Sequence, residues 1–416
     1  MRLAIVGSGI SGLVCAWLMS RDNDVVVFEA DDRVGGHTHT VDLKSTSGSL
    51  AVDTGFIVFN RETYPNFCRI LDALGVEDQP TSMSFSVQDL QSGLVYNGTS
   101  LNRLFVQRRN LLRPSFHRMV RDILRFNRSS DALLAAAGEE LTIREYLREA
   151  GLSAEFERHY LVPLGASLWS CPPETFYAFP LRFLLRFLKN HGMTTVNDRP
   201  EWRVIKGGSR EYVRRLIEPF EHSIRTCSPI TSARRSGNGV ALQVAGGDLE
   251  TFDHVIFACH ADQALKTLAD PSPLEAEILG SFPYQKNDVV LHDDASLLPR
   301  AKRAWASWNY RIGAEPVDRA TVTYNMNILQ GLESRRVHCV TLNETGSIDP
   351  DRIIKQLEYE HPIYTARGFA AQPQHHALID VNRTSFCGAY WGNGFHEDGV
   401  NSALAVCRAL GRTLES

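Results

Sequence analysis

A chain of 416 residues is long enough for two compact units, and its ordinary balance of 43% hydrophobic and 22% charged residues places it among globular proteins. A formal net charge of -4 argues against attraction of the whole molecule to nucleic acid, so any basic surface must be local. The eight cysteines are scattered, with no close pair of the kind that clasps zinc or cycles as a redox dithiol, and no metal is expected.

From the start, "RLAIVGSGISGLVCAWLM" gives an apolar strand, then Gly7, Gly9 and Gly12 at G-x-G-x-x-G spacing, then a helical apolar pattern. Gly7 permits the tight turn, Gly9 lets a pyrophosphate approach the backbone, and Gly12 lets helix and strand pack closely. A second strand, "DVVVFEA", ends at Glu29, where a ribose hydroxyl would be held and a 2′-phosphate would be repelled. Strand, glycines, helix, strand and acid in that order predict a Rossmann-like dinucleotide site. "DDRVGGHTHT" then places Arg33, Gly35 and Gly36 after the acid. This suits a second backbone approach to phosphate, as in a long dinucleotide such as FAD, but alone it reads better as a solvated turn.

Between Asp53 and Trp202 the pattern becomes helical. "LNRLFVQRRNLLRPSFHRMVRDILRFNR" interleaves eight arginines with large apolar residues and has Asp122 as its one acid. It reads equally as a membrane-surface segment or as a core-packing helix with a solvated arginine face. "FPLRFLLRFLKNHG" repeats the composition and tilts the reading toward peripheral membrane contact through 101–128 and 180–191. Nucleic acid is not expected, because the cations alternate with aliphatics. Apolar runs fall short of the about 20 residues needed to cross a bilayer. A strand directly after Met1 leaves no room for a secretory leader, so the expected location is cytoplasmic, associated with the inner face of the membrane.

From Gly207 the strand-and-glycine pattern returns in "KGGSREYVRRLI" and "FDHVIFACHADQAL". Pro271 to about Gln374 reads as a return to the second lobe, where Trp305, Trp308 and Tyr310 of "AWASWNY" are expected to line a cavity. Near the end, "GAYWGNGFHEDGVNSALAVC" sets a glycine-rich loop before a small-residue helix, with Asp398 as its expected cap.

As an ordered series, "IVGSGISGL", "FEADDRVGGHT", "VDTGFIVFN", "VIKGGSREYV", "TFDHVIFACHADQAL" and "GFHEDGVNSALAV" resemble the flavin-containing amine oxidase and phytoene desaturase superfamily. "FNRETYPNF", "AWASWNY" and "CGAYWGNGFHEDG" are similar to the predicted NAD/FAD-binding proteins that resemble the flavin-like N-terminal region of plant cyclopropane fatty acid synthases. The resemblance implies FAD spanning the molecule. Gly7, Ser8, Gly9, Ile10, Ser11 and Gly12 would meet the pyrophosphate, and Glu29 with Ala30 the adenosine ribose. Arg33, Gly35, Gly36, His37 and Thr38 would lie on the phosphate and ribityl side, and Ile230 against adenine. Gly388, Gly394, Phe395, Gly399 and Val400 would surround the flavin ring, whose reduced anionic form suits a helix N-terminus.

Two positions depart from the family pattern: His37 stands where many relatives have arginine, and Ala389 where many have an acid. Of the lysine common near the reactive nitrogen in amine oxidases, "YQKNDVVLH" offers Lys286 or Asn287, and Asn287 is the better match. The acid–base candidates are His396, Glu397 and, more weakly, His39, with His260 and His292 relevant only if folded inward.

The expected architecture is α/β: a discontinuous Rossmann-like FAD-binding lobe (1–75, 202–270 and 375–416) with an inserted α+β substrate lobe (76–201 and 271–374), amine-oxidase-like. The expected function is an FAD-dependent oxidoreductase, desaturase- or dehydrogenase-like, that removes a hydride from a hydrophobic substrate, first a fatty acyl or phospholipid chain. The alternatives are a flavin-dependent amine oxidase and a non-catalytic flavin-binding accessory of a lipid-modifying methyltransferase partner.

Overall fold

The computed structural model describes residues 1–45, 48–138, 140–195, 200–313 and 319–415. Seven strands frame the region of interest: β1 (Arg2–Val6), β2 (Asp24–Phe28), β3 (Ile224–Arg225), β4 (His254–Phe257), β5 (Tyr284–His292), β6 (Ile353–Pro362) and β7 (Thr384–Phe386). Five helices complete it: α1 (Ile10–Met19), α2 (Pro65–Leu74), α3 (Pro114–Ala136), α4 (Leu181–Asn190) and α5 (His396–Ala409).

A parallel sheet runs in the order β3-β2-β1-β4-β7. Parallel strands are covered on both faces, which is why "LAIV" and "VVVF" are continuous apolar runs rather than alternating ones. Alternation instead sorts the two covers. Leu3, Ile5, Val25 and Val27 face α1 and α5, whereas Ala4, Val6, Val26 and Phe28 face a small antiparallel sheet that includes Ile230–Ser236. α1 is buried at all positions but Trp17, because α5 packs along it.

The remaining segments build a seven-stranded sheet, with β6 at one edge followed by β5, Cys339–Leu342, Val322–Asn325, Trp308–Ile312, Phe85–Asp89 and Val95–Asn97. The β5–β6 register sets Asn287 opposite Tyr359, and Gln285 opposite His361. Directly opposed residues share a face, so these four project to one side while Lys286 and Glu360 project to the other.

The aromatic stretch at 305–310 makes packing contacts, and Trp308 Nε1 is buried without a hydrogen-bond partner. Trp308 meets Tyr324 edge-on with centroids 5.1 Å apart, Tyr310 is buried with Val87, Tyr96 and Phe116, and Trp305 donates to the Pro299 carbonyl at 2.8 Å. α4 departs from expectation. Leu181, Leu184, Leu185, Phe187 and Leu188 are buried in the helical core, so the apolar face of 180–191 is already occupied by protein. In α3, Phe116, Met119 and Phe126 likewise face inward, and buried Asp122 accepts from the Ser153 amide at 3.0 Å. Among the described residues, no helix is long and apolar enough to cross a membrane.

Candidate functional site

The C-terminal ends of β1 and β2 open at the glycine loop. Gly7 has φ +105°, and a Cβ there would stand 2.9 Å from the Ala258 carbonyl oxygen. A Cβ on Gly12 would stand 2.0 Å from the Gly7 oxygen, which is the close helix–strand packing expected. Gly9, the N-cap of α1, differs: a Cβ there would meet nothing, and no side chain caps the helix. The amides of Ile10, Ser11 and Gly12 are therefore first-turn donors that the helix itself leaves unpaired, beneath open space.

Gly35 and Gly36 form a turn that is also part of this loop. The Gly35 amide donates to the Ser8 carbonyl at 3.1 Å, and a Cβ on Gly36 would lie 3.0 Å from Gly9 Cα. Glu29 reaches the loop from the end of β2. Its carboxylate accepts from the Ser8 amide at 2.9 Å, from the Ser8 hydroxyl, and from the Asp31 amide at 2.9 Å. Ala30 is exposed beside it. The 228–230 segment runs alongside, with the Ser228 amide donating to the Glu29 carbonyl at 2.8 Å, and Ile230 packs against the core cluster that holds Val26 and Phe28. Arg33 donates to the Thr38 carbonyl at 3.2 Å.

Beyond the second glycine turn lies a group of imidazoles. The His37 ring is 5.3 Å from His361, 6.2 Å from His260 and 5.1 Å from Tyr359, while His260 stacks on Tyr284 at 4.3 Å. Burial, then the neighbouring histidines, hold His37 well below the usual imidazole range; burial and His260 bring His361 to about 4. These rings are neutral at pH 7. Asn287 fixes one tautomer: its Oδ1 accepts from Asn343 Nδ2 at 2.8 Å, so its Nδ2 donates to His361 Nδ1 at 2.9 Å and the His361 proton sits on Nε2. His37 Nε2 and the Tyr364 hydroxyl are buried without a hydrogen-bond partner. Such unmet polar atoms, beside a capless helix start, are what a large polar ligand would satisfy.

The end of the chain needs correction. α5 starts at His396, not near Gly399, and the Gly399 amide already donates to the Phe395 carbonyl at 3.1 Å. Gly399 is small for another reason: a Cβ there would stand 2.8 Å from Ile10 Cγ2 and 3.0 Å from Ser11 Oγ. Val400 is buried in the core against α1. The first-turn amides of this helix are instead those of His396, Glu397 and Asp398. Asp398 is not the N-cap residue; it lies in the first turn and accepts back from the Phe395 amide at 2.9 Å. Gly388 leaves room for the Tyr390 ring, Gly394 has φ +90° against the Tyr364 hydroxyl, and the Phe395 ring stacks on Phe187 of α4 at 5.1 Å.

The three acid–base candidates have structural partners. Glu397 accepts from the Asn66 and Phe67 amides at 3.0 and 2.9 Å, capping α2. His396 stacks on Phe56 at 3.4 Å, bonds with Tyr212 at 3.0 Å and Thr38 at 3.2 Å, and burial lowers it to about 3. His39 bonds with the Tyr359 hydroxyl at 3.1 Å, and burial lowers it to about 4. His292 is bound to Thr341 at 2.7 Å inside the large sheet. The residues that gather in their place, Tyr284, Tyr359, His361 and Tyr364, escaped the sequence reading; the alternation in "EYEHPIY" was the available signal.

A parallel sheet with a capless helix start at its C-terminal edge, followed by a buried cluster of imidazoles and tyrosines with unpartnered polar atoms, fits a dinucleotide-binding fold. Residues 10–290 match the model of the flavin-containing amine oxidoreductase family. Amine oxidase [flavin-containing] A of Canis lupus familiaris is 23% identical over 300 residues, covering 69% of this chain and 53% of that protein. Tryptophan 2-monooxygenase of Allorhizobium ampelinum is 36% identical over 103 residues, covering 24% of this chain and 14% of that protein. The chain thus spans about half, or less, of these relatives' lengths. The structure of cyclohexylamine oxidase from Brevibacterium oxydans superposes with a TM-score of 0.70 at 17% identity, covering 99% of both chains. The chain belongs to the flavin-containing amine oxidoreductase family, and its cofactor is FAD.

Proposed function

We propose that the protein is an oxidoreductase that removes a hydride from a hydrophobic substrate, with a fatty acyl or phospholipid chain as the first candidate. Bound FAD would supply the two-electron acceptor. The glycine loop, Glu29, Arg33 and Ile230 would hold the dinucleotide, and the recess around His37 and Tyr364 the reacting end.

The observation that supports the substrate reading is the aromatic wall beside Tyr364. Tyr364 stacks on Phe183 at 5.4 Å and on Phe369 at 5.6 Å, and Phe395 stacks on Phe187. This wall excludes water and favours an apolar chain. The carboxyls nearby are committed: Glu360 pairs with His260 at 3.2 Å, and Asp398 binds the Phe395 amide. An ammonium group would enter without a free counter-ion. Lys286 is 62% exposed on its side chain and pairs with Glu358, so it faces away, while Asn287 is fully buried on the inner side. His361, with its proton on Nε2, is placed to donate a hydrogen bond, and neutral His37 offers Nε2 to a bound polar group.

The test is anaerobic mixing of the flavin-loaded protein with fractionated lipids and, separately, amines. Loss of oxidised-flavin absorbance with fatty acyl or phospholipid fractions is expected, and Lys286→Met should leave the rate within about twofold. Bleaching by amines alone overturns the lipid reading. No bleaching by any fraction, with a lipid-modifying methyltransferase co-purifying, would identify an accessory protein instead.

A further inference from the structure

One surface does not belong to this site. Between Ser100 and Arg113 the chain forms a strap made of a short helix, Leu101–Leu104, and a 3-10 turn, Arg108–Leu112. Its leucines face water: Leu101 is 77% exposed, Leu111 50% and Leu112 87%. Five of the ten exposed large hydrophobic side chains among the described residues (Leu90, Leu101, Leu111, Leu112 and Leu124) fall between positions 90 and 124, so they are concentrated and not scattered. The strap is compact. Arg108 donates to Asn102 Oδ1 at 2.6 Å and to the Phe105 carbonyl, drawing the turn onto the helix, and Phe105 packs on Phe116 of α3 at 5.5 Å.

The charge on the strap is as distinctive as its apolar tips. Arg103, Arg108, Arg109 and Arg113 have no carboxylate partner among the described residues, and Arg109 spends its visible bond on the Gly93 carbonyl at 2.7 Å. On α3, Arg118 pairs with Glu155 and Arg121 lies by Asp122, while exposed Arg125 and Arg128 have no carboxylate partner among the described residues either. Exposed leucines set among guanidiniums without counter-ions match a surface that is anionic outside and apolar just beneath.

We propose that the 100–113 strap is a membrane-contact element that seats Leu101, Leu111 and Leu112 at the acyl boundary of an anionic phospholipid surface, with Arg103, Arg108, Arg109 and Arg113 among the headgroups. This narrows the contact from the whole 101–128 segment to about its first half and excludes α4, whose leucines are in the core. The proposal does not rest on a lipid substrate, since a membrane surface can be met without turnover.

The test is co-sedimentation of the full flavin-loaded chain with phosphatidylglycerol–phosphatidylcholine vesicles and with pure phosphatidylcholine vesicles. Binding to the anionic vesicles alone, weakening as salt rises, is expected. Leu101→Glu/Leu112→Glu should abolish it, and Arg108→Glu/Arg109→Glu should weaken it by roughly fivefold or more per arginine. Arg125→Glu/Arg128→Glu, on the solvent face of α3, should retain most of it. All variants should keep the flavin absorbance and far-ultraviolet circular dichroism of the parent; if the leucine variant does not, the arginine pair decides. The proposal is overturned if the parent fails to bind anionic vesicles at low salt, or if the arginine pair binds as the parent does. It is also overturned if the leucine variant merely dissolves a dimer of the free protein that never bound vesicles.

Discussion

Two helices of this protein begin after a glycine-rich turn and run on small residues, yet their first turns differ. α1 begins open, with no side chain at its cap and space above Gly9. α5 begins closed, with Asp398 bonded back to Phe395, Glu397 spent on α2, and Gly399 pressed against Ile10 and Ser11. A glycine next to a helix start can thus mean approach by a ligand or approach by another helix, and only the neighbour distinguishes them.

The strongest challenge to this contrast is Gly12→Val. Its Cβ would fall on the Gly7 carbonyl, which cannot move without the turn, so a loss of about 3 kcal/mol or more and a colourless product are expected in denaturant titration and absorbance. Next is Asp398, which burial raises to about 7 despite the backbone donors that oppose the shift. A folded pKa above the unfolded value gives stability that is complete below about pH 4 and lost as pH rises toward 7. Asp398→Asn should therefore gain on the parent across that window, by up to a few kcal/mol. The comparison of variant with parent matters, because Asp53, raised by burial to about 6, loses stability in the same direction, while His37, His361 and His396 lose it as pH falls. A flat difference would place the Asp398 carboxyl in water.

Gly399→Ala should cost about 1–2 kcal/mol, the clash with Ile10 and Ser11 outweighing the gain of an alanine in a helix, while flavin bound per folded molecule stays constant. Loss of flavin without loss of stability would move the ligand to α5 and collapse the contrast. Gly9→Ala should behave in the opposite way: stability within about 0.5 kcal/mol of the parent, and FAD affinity down about tenfold, or about 1.4 kcal/mol, by fluorescence titration. Glu397→Gln, which keeps an acceptor for one of the two α2 amides and loses the charge, should cost about 1 kcal/mol or more in thermal unfolding and leave flavin reduction unchanged.

Legibility followed distance along the chain. The loop, Glu29 and the buried strands were readable because each depends on neighbours within about thirty positions, the reach of one βαβ unit. The recess was not. His37 meets His361 only through the β5–β6 register, and sequence patterning does not supply the partner strand. Glu397 reads as an acid–base group in the sequence because its use, the amides of Asn66 and Phe67, lies more than 300 positions away. The sequence pattern sets the start of α5 three residues late because Phe395 is held by Phe187, more than 200 positions away along the chain. The leucines of α4 looked exposed because a helix's own periodicity shows a face but not what covers it.

The Ser11 hydroxyl donates to the Gly399 carbonyl at 2.9 Å across 388 positions, and this closure has a consequence for biosynthesis. At about 5–20 residues per second, α1 leaves the ribosome roughly 20–80 s before α5 can cover it. During that interval the face of α1 that α5 covers has no native partner. The nascent polypeptide can complete this helix pair only once α5 has emerged, so the packing of α5 on α1 forms long after α1 itself is made.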